Sequence, residues 1–456
     1  MNDTKLIREL KEIIYYIRQY GIDHVNESIE NILANEALMT GFHIQVHKGF
    51  YIAQEKVLHL LPKLINEQKR IKKELADARR QRNKNQSTLL MSALQKAEYQ
   101  ECVVRKSMDA IAWQLFNYEL STLRRLFCNE EPIDITDSNI ESEITFVSQF
   151  QHSTPTGFAL ISDLTSFVQI GDIVTRIPND SLKLIELKEG AVNEKVFQLI
   201  GETMQNSCPK YLAERLSNEN PSFVKHFERT VKQVVKDTST CNTINAGIGI
   251  DHASGLHVQI IEGDTTPDTF STVMHNLSVE YHKKGYSFAA IQECLIVGVY
   301  EISRFPCEAF DIWAKELDII DPIFDLRQSF YEPLGYPIYL HPFSETFITD
   351  VITGKIVVKM AVNTEQLFKM LEHAGCKIRQ LSKKETARLK AKSKASNTLY
   401  ERDGQGIEIE RDGTKIYLGQ GIFSKMFTSF FTPLSMCQEI ITTLDAVKHS
   451  AQDSFE

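Results

Sequence analysis

The sequence predicts a protein that mixes helices with strands, of the α/β (α+β) class, and two observations support this prediction. From Lys5 to about Phe127, apolar residues recur every three or four positions, which is typical of amphipathic helices. Further along, short apolar runs bounded by turn-forming residues alternate with helical stretches. We therefore expect a helical N-terminal region, then a mixed sheet flanked by helices, and finally a C-terminal α+β region.

The chain is long enough for more than one domain. Its 456 residues exceed what a single core usually organises, so two or three domains are expected. Residues 1–95 form the helical region, which is suited to contacts with a partner or with another copy of the chain. Residues 96–300 form the α/β core, and residues 301–456 form the C-terminal region with a basic segment at 377–394.

Charge and cysteine content narrow the class of protein. The net charge of −9 argues against a surface coated in positive charge, so any contact with nucleic acid should be local. The eight cysteines include no CxxC pair, which indicates reduced thiols rather than a zinc site or a disulfide framework. The N-terminus is too polar for a signal peptide, and no apolar run is long enough to span a bilayer. We expect a soluble, cytoplasmic protein without a membrane contact.

The helical region should divide into four or five helices. Breaks are expected near Gly21, within the stretch 41–49 that begins and ends with glycine, and at the polar run 81–87.

The α/β core should alternate short strands with helices. Its first predicted strands are Phe158–Ile161, Phe167–Val174 and Leu182–Lys188, with a turn at residues 178–181 between the last two. The predicted helices and strands that follow are helices 194–206, 209–216 and 221–237, then strands 246–250 and 255–261.

The C-terminal region shows a strand at 355–362, a helix at 364–374 and a hairpin that turns at Asp412-Gly413, a pair that tolerates positive φ. The basic segment 377–394 lies before that hairpin and carries eight Lys or Arg residues against one acid. It is either an arm that contacts phosphates or a solvated linker or exposed helix. The candidate nucleic-acid contacts in it are Lys383, Lys384, Arg388 and Lys390.

The predicted strand Leu182–Lys188 carries charges that a buried strand would not ordinarily tolerate. Glu186 and Lys188 follow a run of apolar residues on one face. A buried carboxylate without a partner costs roughly several kcal/mol or takes up a proton, so a compensating cation is expected. Asp172 lies at the start of the preceding apolar run. A turn between the two strands would form a hairpin that brings Asp172 beside Glu186.

Two neighbouring carboxylates suit a hard divalent cation, Mg²⁺ or Mn²⁺. Such a metal would neutralise the charge of a phosphate and present an attacking water, which Lys188 could orient or deprotonate. We therefore take Asp172, Glu186 and Lys188 as candidate catalytic residues, and the two acids as candidate metal ligands. The alternative is a surface hairpin on which Glu186 and Lys188 are solvated or form a salt bridge. Asp163 is a further candidate, either a third acid or a residue that caps a turn.

Asp172 and the triplet Glu186-Leu187-Lys188, separated from it by thirteen intervening residues, resemble the metal-binding signature of the PD-(D/E)XK nuclease superfamily. Gly171 stands where that signature has proline. The resemblance implies a restriction-endonuclease-like fold for region 96–300, in which a helix packs beside a central mixed sheet and the second and third strands carry the acid and the ExK triplet.

The resemblance also implies functional neighbours on the flanking helices. An acid is expected on the helix before the sheet, where Glu119 and Asp109 are the candidates. A glutamine or basic residue is expected on the helix after the sheet, where Gln233 is the candidate and Gln198 and Gln205 compete with it. Arg229 and Lys232, near Gln233, are candidate contacts for nucleic acid.

We therefore expect a magnesium-dependent endonuclease that acts on nucleic acid, DNA rather than RNA, and the resemblance suggests a role in antiviral host defence. The sequence shows no P-loop, so any energy from ATP would come from a protein partner such as an ATPase. Two other hypotheses stay open. One is a catalytically silent regulatory or interaction subunit that keeps the nuclease fold, and the other is a helical interaction module in which the hairpin is incidental.

Overall fold

The protein is described by a computed structural model that covers residues 3–138, 140–178, 180–187, 190–206, 209–251, 255, 257–260, 267–304, 308–319, 322–392 and 399–453. The predicted α+β class is confirmed, because long helices surround several small sheets. Every strand pair in these residues is antiparallel, whereas the resemblance implies a mixed sheet.

Helices make up most of the described structure. They are α1 (Asp3–Arg18), α2 (Tyr20–Asp23), α3 (Ile29–Ala34), α4 (Glu36–Arg80), α5 (Lys84–Leu115), α6 (Leu120–Leu123), α7 (Ile140–Ser153), α8 (Ala191–Asn206), α9 (Pro209–Ser217), α10 (Pro221–Ala246), α11 (Ser271–Lys284), α12 (Glu308–Glu316), α13 (Glu345–Thr353), α14 (Thr364–His373), α15 (Lys383–Lys392), α16 (Gly421–Thr428) and α17 (Pro433–Asp453).

The strands of the described residues form four small sheets. They are β1 (Phe158–Ile161), β2 (Ile173–Arg176), β3 (Lys183–Ile185), β4 (Ile248–Ile250), β5 (His257–Gln259), β6 (Tyr286–Ile291), β7 (Leu295–Glu301), β8 (Ile323–Asp325), β9 (Ile356–Val362), β10 (Lys377–Gln380), β11 (Glu401–Arg402), β12 (Gln405–Arg411) and β13 (Thr414–Tyr417). The sheet orders are β1-β2-β3, β4-β5, β6-β7-β9-β8 and β10-β12-β11, with β13 also paired to β12.

The chain divides into two compact units that are not consecutive in sequence. The inner unit comprises Gln19–Asn66 and Ile111–Ile261, and the terminal unit comprises Met1–Arg18, Glu67–Ala110 and Glu262–Glu456. The three regions predicted from the sequence are consecutive, and their boundaries near residues 95 and 300 stay a prediction.

In the inner unit, helix α4 covers the outer edge of the sheet β1-β2-β3. The side chain of Gln54 accepts a hydrogen bond from Ile161 N (3.0 Å) and donates one to Ala159 O (3.1 Å). The hydroxyl of Tyr51 accepts from Ala159 N (3.2 Å). These side chains satisfy backbone groups that an edge strand would otherwise expose.

The break predicted between residues 41 and 49 is wrong, because α4 runs without interruption through this stretch. A glycine inside a helix costs about 1 kcal/mol relative to alanine, which is the reason for the prediction. Packing outweighs that cost here. His47 is buried and bonds Thr156 O through Nδ1 (2.8 Å), and the contacts of Tyr51 and Gln54 with β1 follow within two turns.

The terminal unit is built around the sheet β6-β7-β9-β8. Helix α12 covers one face, where Phe310 and Ala314 pack against Ile296, Tyr300 and Ala361 of the sheet. The predicted hairpin is confirmed: Asp412 and Gly413 join β12 to β13 with positive φ values of 49° and 83°.

The basic segment 377–394 forms ordered structure as far as residue 392, namely strand β10 and helix α15. Ser382 and Glu385 cap the start of α15 reciprocally, since Ser382 N donates to Glu385 Oε2 (2.8 Å) and Glu385 N donates to Ser382 Oγ (3.2 Å). Lys394 lies outside the described residues. In the part of the chain that the structure describes, no helix is both long and apolar enough to cross a membrane.

Candidate carboxylate site in the inner unit

The pairing of β2 with β3 brings Asp172 beside Glu186, as the sequence predicts. Ile173 lies opposite Ile185, so the residues just outside this pair, Asp172 and Glu186, are neighbours. Asp172 N donates to Ile185 O (2.9 Å), and its carboxylate Oδ2 accepts from Leu187 N (2.6 Å). Both acids are therefore fixed at one end of the hairpin.

The two predicted strands of this hairpin are too long at this end. Phe167–Ile170 lie outside β2, because the chain turns at Gly171, and β3 ends at Ile185. Glu186 thus follows the strand instead of lying within it. Gly171 has a φ of +72°, which proline cannot adopt because its ring holds φ near −65°. This explains why glycine stands where the resemblance expects proline.

Gln233 on α10 reaches the same place. Its Nε2 donates to Glu186 Oε1 (2.5 Å). Helix α10 is held against the start of β3. Cys241 Sγ and Asn245 Nδ2 donate to the carbonyl oxygen of Leu182, which directly precedes that strand (3.1 and 3.3 Å). Of the three glutamines that competed for this position, the structure thus brings Gln233 to the acids.

The competing glutamines are placed differently. Gln198 is exposed on α8, where its Nε2 donates to Glu202 Oε1 (2.9 Å). Gln205 lies on the same helix, and its side chain is outside the described part of the chain.

A third acid, Glu143 on α7, approaches the hairpin and is missed by the sequence reasoning. Helix α7 packs against β1, and Glu143 is only 5% exposed. Burial, and to a lesser extent the negative charges of Asp163, Asp172 and Glu186, raise the pKa of Glu143 to about 8. These four residues, Glu143, Asp163, Asp172 and Glu186, are called the carboxylate cluster below.

The sequence does contain a signal for Glu143. Ile140, Glu143, Val147 and Phe150 are spaced by three, four and three residues, which places the acid on the apolar stripe of an amphipathic helix. An acid on such a stripe is a site candidate, because burying it costs free energy unless a partner compensates. Within the described residues, Glu143 Oε2 is buried and accepts no hydrogen bond.

The acids predicted for the helix before the sheet lie elsewhere. Glu119 is exposed at the start of α6. Asp109 belongs to the terminal unit, where it is fully buried and pairs with Lys106 Nζ (3.1 Å). Neither Glu119 nor Asp109 is therefore the acid expected on the helix before the sheet. The acid on the helix that precedes the sheet and faces the hairpin is Glu143. Asp163 lies two residues after the end of β1, is half-buried and is close enough to Glu143 to raise the pKa of Glu143.

The predicted basic residues fall into three groups. Lys188 lies outside the described residues, so its predicted role stays a prediction. Arg229 and Lys232 are exposed on α10, within one turn of Gln233. The remaining candidates lie on α15 of the terminal unit, where Lys390 pairs with Glu401 (2.5 Å) and the others are exposed: Lys383, Lys384 and Arg388.

The chemistry of the carboxylate cluster fits a hard divalent cation such as Mg²⁺ or Mn²⁺, which prefers carboxylate oxygens. Asp163, Asp172 and Glu186 are near enough to Glu143 to raise its pKa, and Glu143 is buried with an oxygen that accepts no hydrogen bond from the described residues. No group of three or more His, Cys, Asp or Glu side chains in the described chain is already arranged as a metal site. Binding a metal would therefore require at least one carboxylate to rotate, because Leu187 N and Gln233 Nε2 hold Asp172 and Glu186 in their present positions.

Comparisons of the chain with protein-family models, with curated proteins and with solved structures found no match.

Proposed function

We propose that the protein is a metal-dependent nuclease that hydrolyses phosphodiester bonds, of DNA rather than RNA, and that it is a member of the PD-(D/E)XK superfamily. The observation that supports this best is the carboxylate cluster together with Gln233. In chain order, a buried acid on a helix, an acid at the start of one strand, an acid at the end of the next and a glutamine on a later helix meet at one place. This is the order that the resemblance implies.

In this proposal Asp172 and Glu186 hold Mg²⁺ or Mn²⁺, which when bound would neutralise the scissile phosphate and lower the pKa of the attacking water. Gln233 keeps the Glu186 carboxylate oriented through its short hydrogen bond. Asp163 adds negative charge, which favours a divalent cation at this place, and Glu143 can ionise when a cation binds because the cation favours its charged form. Lys188, two residues beyond Glu186, would orient the attacking water.

A second candidate function is a nuclease-like subunit that does not cut. One observation favours it: the described residues contain no metal site that is already formed. Such a subunit would not need Asp172 and Glu186 for its role. A role in host defence and a partner such as an ATPase stay expectations for either candidate.

Cleavage and metal binding separate the two candidates. Supercoiled plasmid, labelled single-stranded DNA and labelled RNA are incubated with the full chain in Mg²⁺, Mn²⁺ or EDTA. The variants are Glu186→Ala, Lys188→Ala and, as a control, Glu194→Ala, which removes an exposed acid on the adjacent helix α8. We expect metal-dependent cutting that both site variants reduce by at least about a hundredfold, since even the outer neighbours of metal ligands are typically worth 10–100-fold.

If the wild type cuts no substrate, Mn²⁺ is titrated by calorimetry into the wild type and into Glu186→Ala. This measurement distinguishes a nuclease that needs another component from a subunit that does not cut. Binding that Glu186→Ala abolishes indicates a nuclease that needs another component. Equal or absent binding in both proteins contradicts the metal site and leaves the non-cutting subunit. Cutting that persists in EDTA or in Glu186→Ala also contradicts the proposal.

A further inference from the structure

The first half of α10 lines an open cleft with a volume of about 760 Å³ in the inner unit. We call it the basic cleft. The polar and charged lining residues used in the argument below are Asn220, Lys225, His226, Glu228, Arg229 and Lys232. None of them belongs to the carboxylate cluster, so the cleft is a separate feature of the same unit.

The basic cleft carries positive charge that the described protein does not neutralise. Lys225, Arg229 and Lys232 are exposed, and none of them forms an ion pair with any carboxylate that the structure describes. Glu228 is the single acid among the described lining residues. Three cations that converge on one cleft without counterions favour an anionic ligand.

Two cations close in sequence to the basic cleft are neutralised by acids. Lys195 pairs with Glu219 (2.7 Å), and Arg215 pairs with Glu202 (3.2 Å). All four residues lie on α8 or α9 or just before α10, close in sequence to the basic cleft. Acids are therefore present near the cleft in sequence, but they pair with these other cations and not with Lys225, Arg229 or Lys232.

The guanidinium of Arg229 is held in place before any ligand binds. Its Nη2 donates to His226 Nδ1 (3.2 Å), and His226 Nε2 bonds Asn193 Oδ1 (2.6 Å). A neutral imidazole with its proton on Nε2 satisfies both contacts. Since this contact involves only Nη2, most N–H groups of the guanidinium remain to bind a phosphate.

Helix α10 connects the basic cleft to the carboxylate cluster. Gln233, which bonds Glu186, lies four residues after Arg229 and therefore on the same face of the helix, about 6 Å along its axis. Lys225 lies about 12 Å from Gln233 along the same axis. One strand of a nucleic acid advances about 3.4 Å per nucleotide, so these distances span about two to four nucleotides.

We propose that the basic cleft binds backbone phosphates of the substrate strand about two to four nucleotides from the scissile bond, so that cleavage requires a substrate that extends over the cleft. This inference rests on the proposed nuclease function, because it takes the carboxylate cluster as the place of the scissile phosphate. The ligand is a phosphodiester backbone, which lysine and arginine contact without reading the bases.

The test measures how binding depends on salt. Fluorescence anisotropy follows labelled single-stranded and duplex DNA, and RNA of the same sequence, with Ca²⁺ in place of Mg²⁺ to keep the substrate intact. The variant Arg229→Gln/Lys232→Gln should weaken binding by about tenfold or more. It should also reduce the slope of log affinity against log salt by about two, because each phosphate contact contributes about one unit.

The matched control is Lys195→Gln/Arg215→Gln, which removes one lysine and one arginine from the same unit but from neutralised pairs. It makes the same change in net charge, and we expect wild-type affinity and slope. A second measurement needs no variant: a neutral methylphosphonate replaces one phosphate of the substrate at a time. Replacing a phosphate that lies in the cleft should weaken binding to the wild type, whereas replacing any other phosphate should not. The affinity of Arg229→Gln/Lys232→Gln should be insensitive to replacement of the cleft phosphates.

The outcomes separate this inference from the proposed function. If the wild type cuts nothing but the cleft variant loses affinity and slope, the cleft binds phosphates, and the nuclease function fails when Mn²⁺ binding is also absent or is unchanged in Glu186→Ala. If the wild type cuts while the cleft variant binds and cuts like the control, the cleft inference is overturned and the nuclease stands. Absence of any nucleic-acid binding by the wild type also overturns the cleft inference.

Discussion

Two buried acids on helices, Glu143 and Asp109, show opposite solutions to the same physical problem. Asp109 lies 3.1 Å from the buried ammonium of Lys106, which also donates to the carbonyl oxygens of Glu332 (2.6 Å) and Pro333 (3.2 Å). No cation of the described residues pairs with Glu143, and its charged neighbours are acids that raise its pKa.

The difference indicates which acid serves structure and which serves chemistry. A buried carboxylate with a matched cation keeps its charge and fixes the elements that it joins. A buried carboxylate beside other carboxylates destabilises the fold when it ionises, and groups whose pKa is perturbed in this way concentrate at functional sites. Burial alone did not distinguish the two residues, whereas their charged neighbours do.

The largest expected effect is on stability and comes from Asp109. Replacing it in Asp109→Asn leaves the ammonium of Lys106 buried without its counter-charge, which typically costs about 3–5 kcal/mol. Unfolding in denaturant, followed by circular dichroism, should show this loss. The double variant Asp109→Asn/Lys106→Met should recover part of it, and a loss below about 1 kcal/mol would show that this pair does not hold the helix.

The second effect concerns pH and belongs to Glu143. An acid whose pKa is higher in the folded protein binds more protons when folded, and this stabilises the folded state. For Glu143 the stabilisation is complete below its pKa in the unfolded chain, 4.5, and is lost as the pH rises through its pKa in the folded protein, about 8. In EDTA we expect the free energy of unfolding to fall by on the order of 5 kcal/mol across this range, since one pKa unit is worth about 1.4 kcal/mol. Glu143→Gln should remove this slope.

The acids Asp163, Asp172 and Glu186 face Glu143 and cause part of its shift, so the control is an acid without such neighbours. Glu141 is exposed on the same helix, and Glu141→Gln should keep the slope. Adding Mn²⁺ to the wild type should flatten the slope, because a bound cation favours the ionised carboxylates. A slope that Glu143→Gln leaves unchanged would contradict the comparison.

The third effect is on activity. Glu143→Gln keeps the size of the side chain but cannot ionise when a cation binds, so it should reduce cleavage by about 10–100-fold while leaving the unfolding free energy at pH 7 unchanged or higher. Metal-dependent cleavage and calorimetric Mn²⁺ affinity measure this, again with Glu141→Gln as the control. Asp109→Asn should show the reverse pattern, with stability lost and Mn²⁺ affinity retained in the folded protein.

The hairpin and most elements of the inner unit could be predicted from the sequence, because local patterns specify them. The run Phe158–Ile161 is β1, the run 221–237 forms the first part of α10, which continues to Ala246, and the spacing of Asp172 and Glu186 predicted their meeting. These predictions depend on residues close in sequence, where periodicity and turn chemistry act directly.

The features that could not be predicted from the sequence depend on contacts between residues far apart in the chain. Glu143 resembles any acid of an amphipathic helix until β1 is packed against it, and its partners lie twenty or more residues further on. Likewise, the continuity of α4 through its two glycines depends on contacts with Thr156 and β1, about a hundred residues away. No pattern within either helix reports such contacts.

The smallest effect concerns Gln233, the neutral hydrogen-bond donor at the cluster. Gln233→Leu removes the bond to Glu186 Oε1 without changing any charge, so cleavage should fall only by about three- to tenfold, in line with about 1 kcal/mol for one hydrogen bond. The control Gln198→Leu removes the exposed bond to Glu202 and should have no effect. Because Gln233 acts by orienting Glu186, its loss should weaken Mn²⁺ binding as much as it slows cleavage. A slower reaction at unchanged Mn²⁺ affinity would instead place Gln233 on the substrate.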